Sequence, residues 1–421
     1  MYQAPRGIVD TLPGEMAYWR FIEQKAASVS ALYGFERIDT PTFEETGLFV
    51  HSVGEETDIV TKEMYTFNDR SGKSMTLRPE GTAPVCRAYL EHGMGNLPQP
   101  VKLYYLADIF RYERPQAGRL RQFHQFGCET IGDADPALDA EMIDLAWQFC
   151  KTLGLSRLEL KLNSIGCKKC RPAFIAALKG YYQKHADRLC RDCKLRLERN
   201  TLRLLDCKQD ACQPLTRQAP RNRDYLCPEC AGHFSHLQHY LEILGLPFRL
   251  EDRLVRGLDY YTRTVFEIQP EGGSSQSTIA GGGRYDDLIE TLGGRPTPAV
   301  GFASGIERLI LNLKKEAVAV PPLPAPHIFL ASLGEPAKEK ALRLAADLRK
   351  KGFAVLGPLD RSLKAQMRLA NTLGVRYTVI IGEEEVKAGT VQLREMAAAR
   401  QATVPVKEIE NIIRSGDLAS L

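Results

Sequence analysis

VKLYYLADIFRYERPQAGRLRQFHQFGCETIG, residues Val101–Gly132, holds two strand-like runs around a polar loop, Gln116–Arg121. A strand followed directly by another strand sets the pattern for the first 320 residues. That pattern predicts an α+β domain, 1–320, built on an antiparallel sheet with helices around it.

Upstream of this pair, Glu15–Tyr33 carries helical apolar spacing and stops at Gly34, a C-cap residue type. FERIDTPTFEE reads as a strand broken at Pro41, and SMTLRPEGTAPVCRAYLEHG as a strand ending at Pro79 before a helix through Leu90. Downstream, Pro136 opens a helix to Leu153, and LELKLNS is a short alternating strand. LVRGLDYYTRTVFEIQP resumes the strand pattern. QSTIAGGGRYDDLIETLGG reads as strand, glycine turn and helix, and AVGFASGIERLILNL as a strand entering an amphipathic helix. PPLPAP, 321–326, marks a linker. Beyond it, in 327–421, strands and helices alternate, which predicts an α/β domain with a largely parallel sheet.

The 421 residues suffice for two or three domains, and 44% hydrophobic with 26% charged residues is an ordinary globular composition. No run of eighteen apolar residues occurs, so no membrane span is expected. MYQAPRGIVDTLPGEM lacks the apolar core of a signal peptide, so the expected location is cytoplasmic. The net charge of +4 is uneven: Cys167–Cys230 holds 15 Lys/Arg against 7 Asp/Glu, and Pro321–Leu421 holds 15 against 11. Two basic regions fit a polyanion touched at two places, or simply solvated helix faces. Neither a Walker A motif nor G-x-G-x-x-G is present.

Eight of the eleven cysteines fall between Cys167 and Cys230, within a basic insertion at 167–245, as CKKC, CRDC, CKQDAC and CPEC. Repeated C-x-x-C pairs point to structural zinc, because one short turn presents two thiolates to a tetrahedral ion. Cys190, Cys193, Cys227 and Cys230 are the expected ligands; the alternative is cysteine used as a small buried hydrophobe.

Arg111 closes a strand, Arg256 opens RGLDYYTRTVFEI, and Arg308 enters a helix after GFASG. Arginine stays charged at neutral pH, so it serves poorly as an acid or base and well as a phosphate clamp. Three in one cleft would suit a triphosphate; each alone reads first as a surface ion pair. Glu80 and Glu129 follow strand-like runs and could face a pocket, whereas His124 lies among aromatics and reads as packed rather than as a base.

FRYERP, RQFHQFGCE, RGLDYYTRTVFE, AGGGRYDDL and GFASGIERL occur in one order in one chain, and together they resemble the histidyl-tRNA synthetase family across nearly its whole length. FRYERP is similar to class II motif 2, GFASGIERL to motif 3, and the strand around Pro41 to the dimer-forming motif 1. QMRLANTLGVRYTVIIGEEEVKAGTVQLREM resembles the family's anticodon-binding domain. The resemblance implies a homodimeric ligase of protein biosynthesis. It would activate L-histidine with ATP and Mg2+ to histidyl-adenylate and transfer histidine to the 3′ end of tRNA(His).

By that resemblance Arg111, Arg256, Arg308 and Glu113 bind ATP, with Arg111 and Arg256 catalytic. Glu80, Gly81, Thr82, Arg111, Gln125, Glu129, Arg256, Tyr260 and Tyr261 bind histidine, and Gln116, Arg119 and Arg121 meet the tRNA acceptor end. A site that pairs both imidazole nitrogens rejects apolar amino acids strongly, so no editing domain is expected. Two rivals carry fewer of these segments. A catalytically silent regulatory paralogue would lack Arg111, Arg308 or the C-terminal domain, and a zinc-dependent nucleic-acid-binding protein would not need RPEGT, RGLDYY or GIERL.

Overall fold

The computed structural model describes residues 2–415 apart from 117, 208, 274–276 and 324–325, so part of the expected linker at 321–326, and the last six residues of 327–421, lie outside the described residues. The chain forms two compact units, Met1–Pro321 and Pro322–Leu421.

The first unit contains strands β1 (Glu36–Arg37), β2 (Phe43–Glu45), β3 (Tyr65–Asn68), β4 (Ser74–Leu77), β5 (Val101–Phe110), β6 (Gln122–Ile131), β7 (Leu158–Ser164), β8 (Phe248–Leu250), β9 (Thr262–Pro270), β10 (Ala280–Arg284) and β11 (Ala299–Gly305). Eight of them make one sheet in the order β1-β5-β6-β11-β10-β9-β7-β8. Only the flanking pairs, β1 with β5 and β7 with β8, run parallel. The β5–β6 pair holds its antiparallel register from Val101 opposite Ile131 to Phe110 opposite Gln122. β2, β4 and β3 form a separate three-stranded sheet.

One face of the large sheet is covered by α1 (Met16–Leu32) and α4 (Pro136–Thr152), whose Trp19, Ile22, Leu145 and Phe149 pack on Phe126, Phe266 and Phe302. Asp135 starts α4 by accepting from the amide of Ala137 at 2.8 Å, with Pro136 at the first helical position. Against the other face lies α3 (Thr82–Glu91), within a core that contains Tyr105, Tyr260, Tyr261 and Tyr285. This second face forms the cavity described below.

The glycines of AGGGR depart from the expected turn: Ala280–Arg284 is a central strand between β9 and β11. A side chain at Gly282 would sit 2.1 Å from the carbonyl oxygen of Gly301, and one at Gly283 would sit 2.2 Å from that of Thr264. The strand therefore needs glycine because neighbouring backbones approach it. Its far end is locked by the fully buried Arg284, whose Nε donates to Asp139 on α4 at 2.9 Å and whose Nη1 donates to Asp286 at 3.1 Å. A second departure is at RGLDYY, which the strand pattern included: β9 begins only at Thr262, and Arg256, Tyr260 and Tyr261 line the cavity from the segment ahead of it.

The insertion forms α5 (Arg171–Gln183), α6 (Arg191–Arg199), α7 (Gln213–Gln218) and α8 (Pro228–Ile243), with its own small core of Phe174, Leu178, Tyr182, Leu204 and Leu215. α2 (Thr46–Val53), the short α9 (Leu288–Thr291) and α10 (Ile306–Lys315) are the remaining α-helices among the unit's described residues.

In the second unit β12 (Ile328–Ser332), β13 (Val355–Leu356), β14 (Tyr377–Ile381), β15 (Thr390–Glu395) and β16 (Arg400–Pro405) form a sheet in the order β13-β12-β14-β15-β16. The first three strands are parallel; β15 and β16 add an antiparallel hairpin, so the sheet is more mixed than the alternation predicts. α11 (Glu335–Lys350) buries Ala337, Ala341, Leu344 and Leu348 against it, at the spacing of a single helix face.

Candidate active site

A cavity of about 300 Å³ opens on the sheet face beside α3. Residues from well-separated parts of the chain meet there: Glu80, Gly81 and Thr82 at the start of α3, Arg111 and Glu113 after β5, and Gln125 on β6. Arg256, Tyr260 and Tyr261 line it ahead of β9, and Arg308 on α10. Arg119 of the polar loop also reaches it. Gln116 and Arg121 do not; Gln116 is exposed, and Arg121 stacks on the ring of Tyr112 with 3.7 Å to its centroid.

The three arginines are aimed by fixed acceptors. Arg111 Nε donates to the carbonyl of Pro79 at 2.8 Å, and its guanidinium faces the Phe123 ring at 5.6 Å. Arg308 Nη1 donates to the carbonyl of Thr278 at 2.8 Å and its Nε to that of Gly118 at 3.2 Å. Arg256 Nη1 donates to Glu267 Oε1 at 2.5 Å, its guanidinium lies 5.9 Å from the Tyr261 ring centroid, and its Nε is buried without a hydrogen bond. Burial opposes the Arg256 charge, but Tyr261 and Glu267 outweigh it and raise the pKa. Gly281 makes this placement possible: a Cβ there would stand 2.6 Å from Arg256 Nη1.

Deeper in the fold, carboxylates and hydroxyls converge. Glu80 accepts from the amides of Thr82 at 2.8 Å and Ala83 at 2.7 Å, and from the Tyr260 hydroxyl at 3.3 Å. Burial raises its pKa despite those amides. Glu129, 1% exposed, lies behind the cavity wall rather than along it. Its Oε1 accepts from Thr82 Oγ1 at 2.8 Å and from the Tyr105 hydroxyl at 3.3 Å, and its Oε2 accepts from Tyr285. Burial pushes its pKa up to about 8, against those hydroxyl donors. A side chain at Gly301 would fall 1.8 Å from Glu129 Oε2, and one at Gly81 would fall 2.4 Å from the Tyr105 ring, so both glycines leave room for this cluster.

His124 bridges two acids instead, with Nδ1 2.8 Å from Glu307 Oε1 and Nε2 2.7 Å from Asp108 Oδ1, edge-on to Trp19. It is not among the residues that line the cavity. Glu267, Tyr105 and Tyr285 belong to the site although sequence reasoning did not single them out. Tyr285 stood in the quoted AGGGRYDDL segment, and Glu267 in RGLDYYTRTVFE.

The four cysteines expected to share a metal do not meet. Cys227 and Cys230 group with Cys167 and Cys170, whereas Cys190 and Cys193 group with Cys207 and Cys212; within each group the Sγ atoms lie within 4.8 Å of one another. The cause is the path of the insertion: its two ends come together at the sheet, and its middle folds on itself.

Comparison with known proteins adds two family matches. The family model for histidyl-tRNA synthetase matches residues 7–309, and that for an anticodon binding domain matches residues 327–416. A histidine–tRNA ligase of Dehalococcoides mccartyi is 60% identical over 97% of this chain and 98% of its own length. One from Desulforamulus reducens is 49% identical over 98% of both chains. The crystal structure of apo histidyl-tRNA synthetase from S. aureus superposes with a TM-score of 0.82 at 35% identity, covering 98% of this chain and 100% of that one.

Proposed function

The chain belongs to the histidyl-tRNA synthetase family, and from that premise we propose how its cavity ligates histidine to tRNA. The activity is that of a histidine–tRNA ligase, an enzyme of protein biosynthesis that forms an aminoacyl-tRNA. In the first step the histidine carboxylate attacks the α-phosphorus of ATP, the bond to the bridging oxygen breaks, and pyrophosphate leaves. In the second, a ribose hydroxyl of the terminal tRNA adenosine attacks the acyl carbon and AMP leaves.

The observation that carries the residue assignment is the convergence of Arg111, Arg256 and Arg308 on one cavity with Tyr261 and the carboxylate–hydroxyl cluster behind it. Arg111 and Arg256 hold the α-phosphate and stabilise the charge that builds on it, and Arg308 holds the γ-phosphate. Glu113, which lines the cavity 3.1 Å from Arg119, is the carboxylate beside the arginines that would hold magnesium. Magnesium arriving with ATP would offset the charge of the phosphates. Glu80, Gly81, Thr82 and Gln125 surround the amino-acid backbone. Tyr261 on the wall and Glu129 behind it bracket the imidazole, with Tyr260 adjacent. No protein base is required, because the nucleophile enters as a carboxylate; pre-positioning and charge stabilisation suffice.

The polar loop with Gln116, Arg119 and Arg121 meets the acceptor end of tRNA(His), the basic insertion lies along the acceptor stem, and the unit from Pro322 reads the anticodon. Structural zinc in the insertion belongs to the same reading. A homodimer and a cytoplasmic setting complete it. Exposed Phe43 and Phe67, ring centroids 5.9 Å apart on the small β2–β4–β3 sheet, favour a protein contact there, and no helix among the described residues is long and apolar enough to cross a membrane. Histidine-stimulated exchange of pyrophosphate into ATP tests the assignment. Exchange that ignores histidine, or is absent, overturns it.

A further inference from the structure

We propose that the insertion holds two structural zinc ions, one in Cys167, Cys170, Cys227 and Cys230 and the other in Cys190, Cys193, Cys207 and Cys212, and that the first clasps the insertion's two ends against the Tyr261 segment.

Four thiolates about 2.3 Å from one zinc ion stand about 3.8 Å apart in a tetrahedron. Cys167 Sγ is 3.8 Å from Cys170 Sγ and 3.9 Å from Cys227 Sγ, and Cys190 Sγ is 3.9 Å from Cys207 Sγ. Disulfides would need far closer sulfurs, and a multi-iron cluster would hold them farther apart. All eight cysteines of the insertion are used and none is left over.

The surroundings suit thiolates. Cys170 and Cys227 occupy the N-cap positions of the 13-residue α5 and the 16-residue α8, so two helix N-termini adjoin the first group, and Cys190 occupies that of the nine-residue α6 at the second. The Cys167 amide donates to Cys170 Sγ at 3.1 Å and the Cys190 amide to Cys212 Sγ at 3.3 Å. Gly166 is held at a φ of +70°, and a Cβ there would lie 2.6 Å from Cys170 Sγ.

The two sites differ in what they hold. The second sits in the insertion's small core beside Leu189, Leu197 and Leu204, where a metal replaces missing hydrophobic bulk. The first sits at the root. Arg171, next to Cys170, donates to the carbonyl of Tyr261, and the Arg263 amide donates to the carbonyl of Gly166 at 2.8 Å. The root site therefore fixes the backbone on which Tyr261 stands. That consequence rests on the proposed histidine site, while the metal count does not.

Elemental analysis of the full chain purified under reducing conditions is expected to find two zinc ions per chain. C167S/C170S and C190S/C193S should each retain one, and only the first should raise the KM for histidine several-fold in pyrophosphate exchange. One zinc or none, iron with visible absorption, or eight cysteines oxidised to disulfides would overturn the assignment. Two zinc ions in the wild type, together with an unchanged histidine KM in C167S/C170S, would overturn the clasp. If the variants do not fold, cobalt(II) titration of the zinc-stripped wild-type chain decides. The thiolate charge-transfer bands of tetrahedral cobalt should grow to two ions per chain, and saturation at one overturns the proposal. Loss of all histidine-dependent exchange in a chain that holds two zinc ions would sink the functional assignment and leave the metal sites standing.

Discussion

Arg256 Nη1 donates to Glu267 Oε1 across 2.5 Å, while the Nε of the same guanidinium stays buried and unbonded. The acid therefore aims the cation without using all of its donors. Glu267 is itself fixed, since its Oε2 accepts from Gln269 Nε2 at 2.7 Å and from Thr278 Oγ1 at 2.9 Å. A fixed acid on β9 holding a cation over a glycine strand is pre-organisation of the kind charge stabilisation needs.

Replacing the cation tests its role directly. Arg256→Ala is expected to lower kcat for adenylate formation about 10²–10³-fold, the cost of removing one transition-state donor. Histidine affinity should change far less, because the charge it answers develops only at phosphorus. Pre-steady-state adenylate formation beside equilibrium histidine binding separates the two. Equal losses in both would make Arg256 a structural residue.

Glu267→Gln keeps the size of the side chain and removes its charge. A charge-assisted hydrogen bond contributes roughly 1.5–3 kcal/mol, which corresponds to about a 10- to 100-fold effect. We expect a kcat loss in that range, smaller than for Arg256→Ala, with ATP KM nearly unchanged. A Glu267→Gln enzyme with full kcat would show that Arg256 is positioned by Tyr261 and packing alone.

Gly281→Ala separates the site from the fold. The added methyl would stand 2.6 Å from Arg256 Nη1 and 2.9 Å from its Cζ, which is the mobile end of a long side chain rather than backbone. Moving the guanidinium aside breaks its hydrogen bond to Glu267, which costs roughly 1.5–3 kcal/mol, whereas losing a glycine offsets only about 0.4–1 kcal/mol through the unfolded chain. Thermal stability should fall only modestly while adenylate formation falls toward the Arg256→Ala level. Full activity would place the phosphate elsewhere.

The legible and illegible parts of this chain divide on physical grounds. Arg111, Arg256 and Arg308 could be singled out because a permanent cation at a strand end or helix entry has few uses, and the quoted segments tied them to one family. The β5–β6 hairpin showed in its two runs and polar loop. AGGGR was misread because glycine disfavours strands in isolation; its reasons, the carbonyls of Gly301 and Thr264 and the Arg256 guanidinium, come from distant sequence. Glu267 was hidden for a similar cause, as a polar residue within a strand pattern. Cysteine spacing revealed C-x-x-C pairs but not their partners, which depend on where the insertion's ends return. Glu129 stands out in the sequence, yet its place behind Gly301 and its three hydroxyl donors come from segments far apart in the chain.

Burial of Glu129 leads to a pH dependence with a definite sign. Its pKa in the folded chain is pushed up to about 8, above the 4.5 of an ordinary glutamate. Between those values the folded state holds a proton that the unfolded chain has released, so this group's contribution to stability falls as pH rises. The slope cannot exceed about 1.4 kcal/mol per pH unit for one group. Glu129→Gln keeps an amide oxygen on one side of the cluster, for Thr82 and Tyr105, but cannot ionise. Melting curves of the unliganded wild type should shift downward from pH 5.5 to pH 7.5 relative to the variant. Neutral imidazole bound beside Glu129 supplies a donor to the ionised carboxylate, so saturating histidine should flatten that difference. Parallel pH profiles for the two proteins without ligand would mean that Glu129 is already ionised in the fold and that its hydroxyl partners outweigh its burial.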